Sequence, residues 1–398
     1  MNTAVRHNNH PSAGRAASRV NVFVLIDALG WEIIKNRPFL SAELPFRQPL
    51  KTVLGYSCGA IPTILTGRMP AQTGRWNLFY YDPEGSPFRW LRWFSFLPDC
   101  LLDNRYSRKV IKELGRRVLG MGPLFECGVS PRLLPRFNYV EKENIYAAGG
   151  IPGSNSIFDL LNVRKIPHRV YSYHYLSDAQ ILDRARVDIR SSNARFFFVY
   201  LSEVDNFLHK RRDDEDAVTR KLAWYEHQLR ELFAVTVERD PQATFTIISD
   251  HGMTPVRSHY DLVGRIDELG FKMPKQYMAV YDSTMARYWF RDKDARLAIL
   301  SELARTSCGR ILDDEELDRL GILFSDRRYG EAIFLLDPGW LIAESNFNGS
   351  GWNPAGMHGY DPSDQHSHAI YLSNGQPETR MSNVVDIFAS MEAAATES

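Results

Sequence analysis

No stretch of this 398-residue sequence approaches the roughly 20 uninterrupted apolar residues that a membrane-spanning helix needs, so a transmembrane role is not expected. Cysteine is scarce. Cys58, Cys100, Cys127 and Cys308 are scattered and form no CxxC pair, which reads as buried or surface thiols in a chain that is not secreted. There is no charge bias either: 48 basic residues face 48 acidic ones, so nothing global argues for coating nucleic acid or for strong steering to a membrane. Residues 1–19 are polar and lack the apolar segment of a secretory signal. They read as a disordered leader, and a cytoplasmic location is the expectation.

Hydrophobic residues make up 44% of the chain, enough to bury a large core, and residues 20–398 read as one large α/β domain with insertions. Val20–Ala28 (VNVFVLIDA) is an apolar, β-branched run with Asp27 near its end, the pattern of a strand buried on both faces. Arg195–Asp205 (RFFFVYLSEVD) and Thr244–Asp250 (TFTIISD) repeat the design. A parallel sheet would gather the ends of such runs along one edge and bring three carboxylates together. Helical stretches lie between them. Ser154–Leu161 is one, ahead of a strand-like run at 169–174, and Ala217–Glu238 is another, with Val218, Leu222, Tyr225, Leu229 and Leu232 at helical spacing. The alternation predicts a doubly wound, mostly parallel α/β fold. Two segments break the rhythm and read as caps over the site: about 76–150, crowded with aromatics, arginines and prolines, and about 256–348.

The chemistry lies in a conjunction of short motifs, each of which is unremarked alone. Asp250 and His251 follow a buried run, and Gly252 allows the backbone to bend there. Asp205 and His209 stand four residues apart, which on a helical turn points both the same way. His358 sits between residues of a Gly- and Asn-rich stretch. With Asp27 these give three carboxylates and three imidazoles, a donor set suited to two borderline divalent ions, zinc first and manganese second. The segment 55–67 (GYSCGAIPTILTG) reads as a strand-to-helix junction. A hydroxyl there, Ser57, would meet backbone N–H groups and a favourable dipole, or would serve as a plain cap.

The segments IDALGW, GYSCGAIPTILTG, YLSEVDNFLH, ISDHGM and GMHGYDP, in that order, resemble the alkaline-phosphatase superfamily, most closely its nucleotide pyrophosphatase/phosphodiesterase branch. The resemblance runs from Asp27 to a closing SNVVDIFASME that looks like the branch's final helix. It implies a nucleophile nine positions before Thr66, which is Ser57. It further implies one zinc held by Asp205, His209 and His358 and another by Asp27, Ser57, Asp250 and His251. The implied activity is hydrolysis of a phosphodiester or pyrophosphate bond through a phosphoserine. A phosphomonoesterase or phosphotransferase on the same core is the alternative, and an idle scaffold that binds phosphorylated ligands is a rival of another class.

Two departures qualify the resemblance. The branch has Pro and Asn two and three positions after its nucleophile, where this chain has Gly59 and Ala60, so a phosphate contact is missing or supplied elsewhere. Gly59 and Ile61 also break the pattern that sulfatases require. Cys58, one position out of register, reads as a packed neighbour. Residues 88–117 interleave aromatics with Arg and Lys. Such a segment could bind a phosphorylated small molecule or lipid-linked substrate, or rest on a membrane, although an ordinary cap would turn its aromatics inward.

Overall fold

The computed structural model describes residues 19–121, 125, 127–172, 176–346 and 353–397. The reading of residues 1–19 as a disordered leader thus falls, but for Arg19, outside the described residues. Six strands form the central sheet: β1 (Asn21–Ile26), β2 (Phe46–Leu50), β3 (His168–Tyr171), β4 (Phe196–Leu201), β5 (Thr244–Ile248) and β6 (Ala369–Ser373), in the order β2-β6-β5-β1-β4-β3. Strands β3, β4, β1 and β5 pair in parallel, while β6 lies antiparallel to both β5 and β2. This is the mostly parallel α/β sheet that the alternation of runs predicts.

The apolar runs are continuous because both sheet faces are covered. Along β1, Val22, Val24 and Ile26 join the core on one face, with Phe197, Val199, Phe245 and Ile247. Phe23 and Leu25 join the core on the other, with Phe196, Phe198 and Ile248. Successive side chains of a strand point to opposite faces, so a strand covered on both sides must be apolar at every position. The first core is closed by the long helix Glu215–Arg239, which lays Val218, Leu222, Tyr225, Leu229 and Leu232 on the sheet. The second is closed by α1 (Ser57–Thr66) and by the C-terminal helix Ile387–Glu397.

Register brings the functional ends together. Leu25 pairs with Ile248 and Ile26 with Leu201, so Asp27 and Asp250 leave the sheet side by side. Asp205 arrives differently from the sequence-based expectation. Strand β4 ends at Leu201, and Asp205 lies in the first turn of the following helix, α2 (Glu203–Arg211), because the apolar run ends four residues before it.

The two irregular segments contain an antiparallel pair of strands, Phe79–Tyr81 with Phe137–Tyr139, and a separate four-stranded antiparallel sheet. They share one core, in which Phe79, Phe88, Leu91, Ile111 and Phe137 meet Met278, Val280 and Trp289. At its edge the buried Arg287 donates to Asp282 at 2.6 Å and to the Phe79 carbonyl at 2.8 Å, tying one segment to the other. The inward packing expected of an ordinary cap is only partly met, since Trp93, Phe94 and Phe96 face solvent.

Gly252 fills a gap that admits no side chain, because a Cβ there would lie 2.1 Å from the His366 carbonyl oxygen. Gly252→Ala should therefore lower the melting temperature by about 1–4 °C through forced backbone movement, as overpacking of a tight site costs on the order of 1–3 kcal/mol. Calorimetry checks this, and an unchanged melting temperature would show that the loop yields freely.

Candidate metal centre

Strand ends and one helix face deliver six side chains as two triads. In one, Asp27, Asp250 and His251 offer donor atoms that all lie within 4.8 Å of one another, and in the other Asp205, His209 and His358 do the same. The first is buried, with His251 Nε2 3.4 Å from Asp27 and 3.2 Å from Asp250. The second is nearer solvent. Its Asp205 Oδ1 lies 3.3 Å from His209 Nε2 and 3.5 Å from His358 Nε2. The triads adjoin, since the rings of His251 and His358 stack at 3.8 Å with an 11° tilt. The structure thus brings six of the candidate residues together in two groups of three.

Local structure aims each group. Ala28, with its unusual positive φ of 62°, turns the chain just after Asp27, and its N–H donates to Asp250. Asp205 and His209, one turn apart on α2, point the same way. His358 is brought in by a short antiparallel pairing of Met357 with Thr254, just beyond the Asp250–His251 turn. The His209 and His251 rings present Nδ1 to the carbonyls of Gly356 and Gly252 at 2.8 and 2.9 Å. An N–H at Nδ1 leaves the Nε2 lone pair facing the triad, the arrangement of metal-binding histidines.

Ser57 is the first residue of α1, and its hydroxyl lies 3.0 Å from His251 Nε2 and 3.5 Å from Asp27 Oδ1. Tyr56, not Ser57, takes the cap position. Cys58 turns away, its Sγ 3.1 Å from the Trp76 carbonyl, and burial raises its thiol well above the ordinary range. A side chain at 59 would meet that same carbonyl at 2.8 Å, so this helix packs too close to Trp76 for the branch's usual proline.

Electrostatics favour a cation. Burial, then the charges of Asp250 and Asp205, raise Asp27 well above the usual carboxylate range. Burial and the charge of His251 hold His358 well below the ordinary histidine range. Asp205 is lowered despite its burial, because His209, His358 and His251 surround it, and His209 is raised against its burial by Asp205. Asp250 Oδ2 and His358 Nδ1 are buried without a hydrogen-bond partner among the described residues. Lone pairs crowded in this way fit divalent ions of the zinc type, and mixed carboxylate and imidazole donors suit them.

Sequence reasoning missed the supports. The Tyr200 hydroxyl donates to Asp27. Tyr56 sets its ring edge-on to His358 at 5.3 Å, and its hydroxyl meets Thr284 at 3.1 Å, while Thr284 donates to the Gly359 carbonyl. These residues lie inside or far from the motifs and carry no spacing signal of their own.

Residues 164–361 match the family model of type I phosphodiesterases/nucleotide pyrophosphatases, a stretch containing Asp205, His209, Asp250, His251 and His358. Over that stretch, just under half of the chain, the sequence is similar to type I phosphodiesterases/nucleotide pyrophosphatases. Human ectonucleotide pyrophosphatase/phosphodiesterase 5 has a similar fold, with a TM-score of 0.68 at 13% identity over 95% of each chain. The murine protein gives 0.68 at 14% identity over 95% of each chain. An inactive form of the murine protein in complex with AMP gives 0.67 at 14%, again over 95% of each chain. Comparison with curated protein sequences finds no match.

Stripping divalent metal should lower the melting temperature. A ligand at a hundred times its dissociation constant adds about 2.7 kcal/mol, or about 3 °C for a chain of this length. The sign with pH follows from Asp27. Because its pKa is raised on folding, its contribution to the metal-free protein is present at low pH and lost as pH rises through the raised value. The gap between loaded and stripped protein should thus widen from acid to neutral pH. Scanning calorimetry of both forms checks this, and a gap that stayed constant with pH would place the ion elsewhere.

Proposed function

We propose that this protein hydrolyses a phosphodiester or pyrophosphate bond by way of a phosphoserine on Ser57, with two divalent ions, zinc first and manganese second. Asp27, Asp250, His251 and the Ser57 oxygen would hold one ion, and Asp205, His209 and His358 the other. The observation that carries this reading is the Ser57 hydroxyl, set at the start of α1 within 3.0 Å of His251 and 3.5 Å of Asp27. When bound, such ions act as Lewis acids that ease loss of the serine proton and neutralise charge on the phosphoryl and leaving oxygens.

The chain's own groups do the rest. Ser57 presents its oxygen to phosphorus, forming the new O–P bond as the bond to the leaving alcohol or phosphate breaks. Water then cleaves the seryl ester and restores the hydroxyl. The N-terminal N–H groups of α1 face the same region and favour a phosphoryl oxyanion. Tyr200 holds Asp27, and the backbone carbonyls of Gly252 and Gly356 hold two imidazoles, so little reorganisation is left for the reaction itself. A nucleotide diester is the first substrate to try, because the murine relative is described in complex with AMP. Lipid-linked phosphates form the second class, and four scattered cysteines with no CxxC pair fit the expected cytoplasmic setting.

Ser57→Ala should lower turnover of an aryl phosphodiester by about a thousandfold or more while metal content persists, since loss of a nucleophile is of that order. Cys58→Ala should stay within a few fold of the parent. Steady-state rates on aryl phosphodiester and monoester, with mass spectrometry of the trapped phosphopeptide, check both residues and the reaction class. Activity lost in the Cys58 variant and kept in the Ser57 variant would refute the assignment.

A further inference from the structure

Large apolar side chains are exposed unevenly. Of the eleven that lie open among the described residues, seven fall between Trp93 and Val118, and the other four are scattered singly over the chain. Trp93 is 81% exposed and Phe96 79%, and Leu101, Tyr106 and Val110 continue the series. Isolated exposed hydrophobics are ordinary on a protein surface, but a run of them with two such aromatics is not. The segment is also the place where charge departs from balance. Residues 88–118 hold eight basic and three acidic residues in a chain of zero net charge. Two of the acids are engaged locally, Asp103 with Arg108 at 2.6 Å and Glu113 with Arg117 at 3.1 Å. Arg89, Arg92, Arg105 and Lys109 are exposed beside the aromatics.

The fold holds this surface outward. The 3-10 turn Arg89–Phe94 and the helix Arg105–Arg117 are seated on one apolar cluster through Leu91 and Ile111, which leaves their other faces to the outside. Along the helix, Tyr106, Val110 and Arg117 share the outer face at helical spacing. No described helix is long and apolar enough to cross a membrane. A shallow contact is what such a face can make: tryptophan and phenylalanine enter the headgroup and acyl boundary while arginine and lysine stay at the phosphates. A second copy of the chain fits less well, because it would set like charges against each other.

We propose that residues 89–118 form a peripheral docking surface for a phospholipid bilayer carrying anionic headgroups. None of residues 89–118 belongs to either triad, and Ser57 lies outside them, so the inference does not depend on the proposed reaction.

The test is flotation of the full-length protein with vesicles of phosphatidylcholine alone or mixed with phosphatidylserine. Co-flotation is expected with the mixed vesicles and should weaken as salt rises. Neutralising Arg89, Arg92 and Lys109 to Gln should reduce partitioning about fivefold per residue. Trp93→Ser combined with Phe96→Ser should reduce it about tenfold or more. Turnover of a small soluble aryl ester should stay unchanged in both variants, which shows that they fold. Absence of co-flotation with the mixed vesicles would overturn the proposal, as would equal flotation of parent and the Trp93/Phe96 variant. A parent dimer in sedimentation that dissociates on Trp93→Ser would overturn it too, by giving the surface to a second copy.

Discussion

Repulsion among Asp27, Asp250 and Asp205, crowded with His209, His251 and His358 at one edge of the sheet, is the constraint on which the rest of the molecule depends. Buried carboxylates facing one another are costly unless a cation joins them. The fold accepts that cost at one place and fastens each group there. Strand register sets Asp27 beside Asp250, α2 pairs Asp205 with His209, and the Met357–Thr254 pairing brings His358 across. Ser57 is added from a fourth direction, at the start of a helix.

The four-stranded sheet also reaches the centre. Thr284, from the turn within the four-stranded sheet, reaches both Tyr56 and the Gly359 carbonyl. One cap residue therefore links the loop before Ser57 to the loop that carries His358. Movement of that cap would reach both at once. The buried Arg287–Asp282 pair, with its bond to Phe79, makes the two caps one body. The exposed aromatic and basic surface grows from the same body, opposite its apolar seat.

The sheet was legible because its strands are buried on both faces, so 20–28 and 244–250 read as unbroken apolar runs ending in aspartate. The grouping of the six candidate ligands into triads could be anticipated from the resemblance, not from spacing. Reading Asp205 as a strand end failed because Leu201 and Asp205 are joined by residues that tolerate either state, and helix spacing to His209 was the better guide. Tyr56, Tyr200 and Thr284 were illegible. Each acts through a contact between segments remote in sequence, and periodicity reports only which face a residue takes. The outward aromatics were ambiguous for the same reason: Leu91 and Trp93 carry similar sequence signals, and only packing separates the buried one from the exposed one.

The central claim is that the two triads are adjacent cation sites flanking the Ser57 hydroxyl. Anomalous diffraction from crystals grown with zinc addresses it directly. The account predicts two peaks, one among Asp27, Asp250 and His251 beside Ser57, the other among Asp205, His209 and His358. Ions bound only elsewhere on the surface, with neither triad occupied, would contradict it.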